Sequence, residues 1–195
     1  MNQNPGTSLT GIQNFRSPKS FSRKQVVIER KHRKHTLSLY VANKPGVLIR
    51  IALVFARRGY NIDSLVVSEG KDPDFSTMNI VASGDEKVLD QILNQLNKLV
   101  DVVTAHDRTE DDIIQHELAM FKIRCSGDNR MQVLQLAHAL NCEITDITET
   151  TVIFQASGTS EKLDSLESVL EPYNIIELVR TGKVLMAKGE ELTSF

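Results

Sequence analysis

Thr36-Leu-Ser-Leu-Tyr-Val-Ala-Asn-Lys-Pro-Gly46, followed by Val47, Ile51, Val54 and Phe55, is the stretch whose reading decides the fold. Leu37, Leu39 and Val41 alternate with other residues, the period of a half-buried strand. Residues 43–46 are turn chemistry. The next four apolar residues recur at i, i+4, i+7 and i+8, which is one face of a helix. Arg57 and Arg58 suit the negative end of its dipole, and Gly59 is a natural stop. Working outward, 60–68 is rich in β-branched residues and predicts a second strand. A polar turn over 69–74 joins it to a third at 75–83, alternating through Met78, Ile80 and Ala82. Ser83 and Glu86 have capping-box spacing. Val88, Leu89, Ile92, Leu93 and Leu96 then form the stripe of a second helix, and 100–106 reads as a fourth strand. The order β-α-β-β-α-β predicts a ferredoxin-like unit, a four-stranded antiparallel sheet with two helices on one face.

The pattern then begins again. Residues 109–112 form an acidic break, the best linker. Strands are expected at 116–125, 142–147, 151–157 and Ile175–Arg180. One helix is capped by Asp128 and runs to about Leu140; another carries Leu163, Leu166 and Leu170. The fold class is therefore α+β, two ferredoxin-like βαββαβ domains. The expected division is a basic arm over 1–35, a first domain over 36–110 and a second over 111–195. Letters repeat as well as elements: Ala82-Ser-Gly84, Leu89-Asp90 and Leu96 return 74 residues later as Ala156-Ser-Gly158, Leu163-Asp164 and Leu170. Each unit leaves one sheet face without helices, so pairing of copies through open faces or edges is expected.

Composition narrows function by exclusion. No run approaches the roughly 20 apolar residues of a membrane span. Two cysteines, Cys125 and Cys142, in no C-x-x-C pair, fit a reducing compartment and give a cysteine zinc site no support. Residues 1–35 carry eight Lys or Arg and one acid, leaving 15 basic and 24 acidic residues in 36–195. An acidic folded part argues against nucleic acid as partner. The arm reads first as a disordered tail, second as a transit peptide and third as a nucleic-acid arm. Cytoplasmic location is expected, or a plastid or mitochondrion if the arm is a transit peptide. Nucleophile elbow, phosphate loop, dinucleotide fingerprint and zinc-helix motifs are all missing, and the five histidines lack partners at metal-ligand spacing.

The informative segment is Asn43-Lys44-Pro45-Gly46-Val47-Leu48, a strand end that becomes a helix start. Helix N-terminal N–H groups favour a carboxylate. Gly46 allows close approach, and Pro45 lies where its missing N–H matters least. Asn43 and, beyond the helix, Asn61 add neutral amides. Val47, Leu48 and Ile62 are apolar neighbours. The set suits a small zwitterion with an aliphatic side chain; an ordinary turn with a Pro/Gly start is the plainer reading.

These residues, with Phe55-Ala-Arg-Arg-Gly-Tyr-Asn-Ile62, resemble the ACT domain, a regulatory module that binds amino acids. Longer blocks are similar to the small regulatory subunit of acetolactate synthase: 57–65, 84–92 and 95–102, then 116–124, 144–147, 157–160, 162–164 and 179–182. The resemblance covers about 36–187. It implies no catalysis by this chain and no cofactor on it. It implies a large catalytic subunit that carries thiamine diphosphate, Mg²⁺ and FAD and condenses 2-oxo acids toward valine, leucine and isoleucine. The small subunit would activate that partner and confer feedback inhibition, usually by valine, bound between paired ACT domains of a homodimer. Asn43 to Leu48 would form one side of the site, Asn61 and Ile62 the other. The alternative is a stand-alone ACT-domain sensor serving another enzyme or a transcription system. The sequence departs from the family in its long basic arm and around 126–141.

Overall fold

A computed structural model of the chain describes residues 33–125 and 127–193. The arm expected over 1–35 lies outside the described residues as far as position 32. Its last three residues are strand: β1 runs over Arg33–Ala42. The strand starts earlier than its apolar alternation because it pairs with a long neighbour, Arg33 standing opposite Gly84. His35 is buried inside it, with Nδ1 3.7 Å from the Asp107 carboxylate.

β1 is followed by α1 (Val47–Ala56), β2 (Asn61–Glu69), β3 (Phe75–Gly84), α2 (Glu86–Leu96) and β4 (Val102–Asp107). These strands form an antiparallel sheet in the order β2-β3-β1-β4. α1 buries Val47, Ile51, Val54 and Phe55, the four residues its periodicity singles out, and α2 buries Leu89, Ile92 and Leu96. They pack on Leu37, Leu39, Val41, Met78 and Ile80 of the sheet. Each such side chain contributes roughly 1.5–3 kcal/mol by leaving water. Two local expectations are corrected. Asp85 caps α2, its carboxylate accepting from Lys87 N at 2.9 Å, while Ser83 stays in the strand and its hydroxyl donates to Asp63. The fourth strand begins at Val102 rather than at Val100, which is fully exposed in the preceding turn.

The second half repeats the layout: β5 (Ile114–Arg124), α3 (Arg130–Ala139), β6 (Glu143–Ile147), β7 (Thr151–Gly158), α4 (Ser160–Leu170) and β8 (Ile175–Arg180). Its order, β6-β7-β5-β8, is that of the first sheet element for element. α4 lies 74 positions after α2 at both ends, and its buried Leu163, Leu166 and Leu170 sit 74 after Leu89, Ile92 and Leu96. α3 has Asn129 at its N-cap, after a short 3₁₀ turn, so it starts later than a cap at Asp128 would place it. A short β9 (Val184–Met186), unforeseen from sequence, pairs with the first residues of β5.

The helix-free face of the first sheet is not simply open. Thr36, Ser38, Asn79 and Val81 on that face are buried within the single chain. The segment after β8 lies against it: a Cβ on Gly182 (φ +87°) would stand 2.9 Å from Ser64 Cβ. Arg108 ties the far end of the chain back, donating to Thr193 O at 2.8 Å.

Candidate functional site

At the end of β1 the chain turns through 43–46 because Gly46 adopts φ +86°, a left-handed conformation costly for most residues. Asn43 pins the turn to the β2–β3 loop. Its N–H donates to Asp74 O at 2.7 Å, and its Nδ2 to Pro73 O at 3.0 Å. Val47 N donates to Lys44 O at 3.3 Å. The next two amides, of Leu48 and Ile49, have no acceptor among the described residues. They point out of the first turn of α1, where the helix dipole favours negative charge.

The apolar surroundings differ from the expected set. Val47 is in the core and lines no surface, and Ile62 is half-buried against the same core. Leu48, Ile49 and Leu53 are the exposed apolar residues, 44%, 65% and 45% accessible. Ile49 and Leu53 were not singled out by the sequence; they stand outside the buried periodicity, and a run of apolar residues on both faces of one helix is the signal that finds them. Lys44 and Pro45 are exposed. Arg50 stands beside Gly46 and pairs with Asp101 at 2.7 Å.

Asn61 is elsewhere. It opens β2 at the other end of α1, a helix of 10 residues and so about 15 Å long. Sheet register gives the same answer: Ala42 is opposite Phe75 and Asn61 opposite Ser83, eight residues apart along β3, about 26 Å. Asn61 Nδ2 donates to Asp63 Oδ1 at 2.8 Å. One chain thus separates the two halves of the predicted site. The larger clefts lie elsewhere, one between the two sheets and one between α4 and β8. Among the described residues no group of three or more His, Cys, Asp and Glu is placed to hold a metal ion, and no helix is long and apolar enough to cross a membrane.

The fold and its glycine turn define the class. Residues 37–104 match the family model for an AHAS small subunit-like ACT domain, and the chain is a two-unit ACT-type protein. Residues 116–189 match the family described as the small subunit of acetolactate synthase. The acetolactate synthase small subunit of Mycolicibacterium smegmatis is 40% identical over 155 residues, 80% of this chain and 91% of that protein. That of Mycobacterium leprae is 37% identical over 155 residues, 80% and 92% of the two chains. The crystal structure of the acetolactate synthase small subunit from Thermotoga maritima superposes with a TM-score of 0.72 at 32% identity, covering 82% of this chain and 99% of that one. This chain belongs to the acetolactate synthase small-subunit family.

Proposed function

We propose that this chain is the non-catalytic regulatory subunit of an acetolactate synthase of branched-chain amino-acid synthesis. In this reading it joins a catalytic subunit that carries thiamine diphosphate, Mg²⁺ and FAD, raises its activity and makes it sensitive to valine. Residues 36–110 bind the amino acid and 111–195 face the partner. Family membership supports the role. The observation that carries the effector is the start of α1: two N–H groups without acceptors, beside an asparagine whose amide nitrogen is already committed. The N–H groups suit a carboxylate, the free Oδ1 of Asn43 suits an ammonium, and Leu48 and Ile49 suit an aliphatic side chain.

The separation of Asn61 from this turn makes a second copy part of the site. β1 and β2 both run antiparallel to β3, so their C-terminal ends share one end of the sheet. β2 is an edge strand. An antiparallel pairing of β2 with β2 of a second copy carries each Asn61 to the end where the other copy's residues 43–48 stand. Pairing through the β4 edge does not. The same contact would cover the exposed apolar face of α1. Valine bound there favours one arrangement of the pair, and inhibition follows only if that arrangement activates the partner less.

The test is co-purification with the catalytic subunit of the same organism, followed by acetolactate assay with and without valine. Activation and inhibition together are expected. A chain that neither associates nor activates overturns the reading in favour of a stand-alone sensor.

A further inference from the structure

A groove on the second unit has the chemistry to receive a segment of this same chain. Asp164 and Glu167 of α4, with Glu171 just past its end, stand along a hollow of about 390 Å³ whose floor is Ile175 and Leu178 of β8. Asp164 is paired with Arg180. Glu167 and Glu171 have no cationic partner among the described residues. β8 is an edge strand with one neighbour, so this side of the sheet is unflanked. Acid, apolar floor, acid is the pattern to be matched.

The sequence before β1 holds its complement. Arg23-Lys24 and Arg30-Lys31 bracket Val26-Val27-Ile28. The path is short. Lys34, at the start of β1, lines the cleft between the sheets together with Asp164, and Asp164 also begins the groove. From Asp164 to Glu171 is seven helical residues, about 10 Å. The five steps from position 28 to Arg33, the first residue of β1, reach up to about 17 Å. Net charge agrees: residues 1–32 carry six Lys or Arg against one acid, while 114–193 carry twelve acids against seven Lys or Arg.

We propose that residues 23–31 dock in the α4–β8 groove of their own chain, with Val26 and Ile28 over Ile175 and Leu178 and the flanking cations at Glu167 and Glu171. The inference is independent of valine binding. Its test is the full chain with Ile28→p-benzoylphenylalanine, on the face turned to the groove, irradiated and mapped by tryptic mass spectrometry. Crosslinking to the 163–180 peptide is expected. The pair Glu167→Lys/Glu171→Lys should lower the label on residues 163–180, summed over the peptides that the new lysine cut creates, by about fivefold, the scale of two ion pairs, and adding Arg30→Glu/Lys31→Glu should restore it. Far-UV circular dichroism checks that the variants fold, and raised salt on the otherwise unsubstituted chain gives the same loss without any charge variant. Label on another peptide overturns the proposal. So does label on an isotope-marked second copy, absence of label, or a yield indifferent to salt and charge reversal.

Discussion

The ring of Tyr60 fills the space that a side chain on Gly84 would need: a Cβ there would lie 2.2 Å from Tyr60 Cζ. The Tyr60 hydroxyl continues past it to donate to the carbonyl oxygen of Asp85, the N-cap of α2. The end of β3, the start of α2 and the residue before β2 are thereby locked together. Gly84→Ala must push the ring out, and we expect a loss of about 1–3 kcal/mol, as for other overpacked sites. The repeat supplies a control. At Gly158, 74 positions on, the Cβ would meet Lys162 Cδ at 2.6 Å, in a flexible side chain that can swing aside. Gly158→Ala should cost clearly less. Urea denaturation of both variants checks the order, and equal losses would refute this account.

The same tyrosine predicts an alkaline weakness. Burial, and then the Asp85 carboxylate, raise the Tyr60 phenol above its ordinary value near 10. The unfolded chain releases this proton at lower pH than the folded one. Stability from Tyr60 is therefore fully present below about pH 10 and falls as pH rises through the folded-state value. Tyr60→Phe should lose about 0.5–1.5 kcal/mol at neutral pH, through the missing hydrogen bond, and should show a shallower decline above pH 10. Parallel stability curves for the two proteins between about pH 8 and 11 would contradict this.

In the second unit the corresponding lock is ionic. Glu117, 8% exposed, accepts from Arg180 at 2.7 and 3.1 Å and also from Ser160, the first residue of α4. Burial works against the Arg180 charge, but its bonds to Asp164 and Glu117 outweigh that and hold its pKa above the ordinary value. Arg180→Met leaves the Glu117 carboxylate buried without its cation and should cost about 3 kcal/mol. The double variant Arg180→Met/Glu117→Met removes the stranded charge with it and should recover much of the loss. A double variant no more stable than the single one would show that the pair itself, rather than the orphaned carboxylate, carries the energy.

Legibility followed periodicity. The apolar stripes of α1, α2 and α4 name the buried residues because one face of each helix meets one sheet, and the 74-residue echo marks two units with one strand order. The turn at Gly46 was readable because only a left-handed residue ends β1 that way. What the letters hid depends on distant partners. Arg33–His35 looks like arm because its strand identity comes from Ala82–Gly84 across the sheet. β9 is three residues that gain meaning only beside β5. Val47 seemed available to a ligand, yet its position on the helix sends it inward and leaves Leu48 and Ile49 outside. The distance of Asn61 from the turn was hidden likewise, since it is set by the length of the helix between them.

Gly46 gives the sharpest test of the proposed effector site. Its φ of +86° penalises any side chain, and the new Cβ would stand 3.3 Å from Arg50 Nη1, whose guanidinium also pairs with Asp101. Gly46→Asp places a carboxylate where the ligand's own would bind, and it can also draw Arg50 across the turn. Gly46→Asn has nearly the same shape, tolerates the left-handed region and lacks the charge. In the complex with the catalytic subunit we expect Gly46→Asp to abolish inhibition by valine and to keep activation. Gly46→Asn should shift the half-inhibitory concentration by about tenfold or less, roughly 1.4 kcal/mol. Asn61→Ala, at the opposite end of α1, should weaken valine by about 1–3 kcal/mol, read by calorimetry. In the shared arrangement proposed above, where each site takes its Asn61 from the other copy, it should do so only in the paired protein. Mixed dimers settle that point: with one Gly46→Asp chain and one Asn61→Ala chain, both lesions fall in one site and the second site stays intact. Dimers that lose both sites would place Asn61 with the turn of its own chain and refute the shared arrangement.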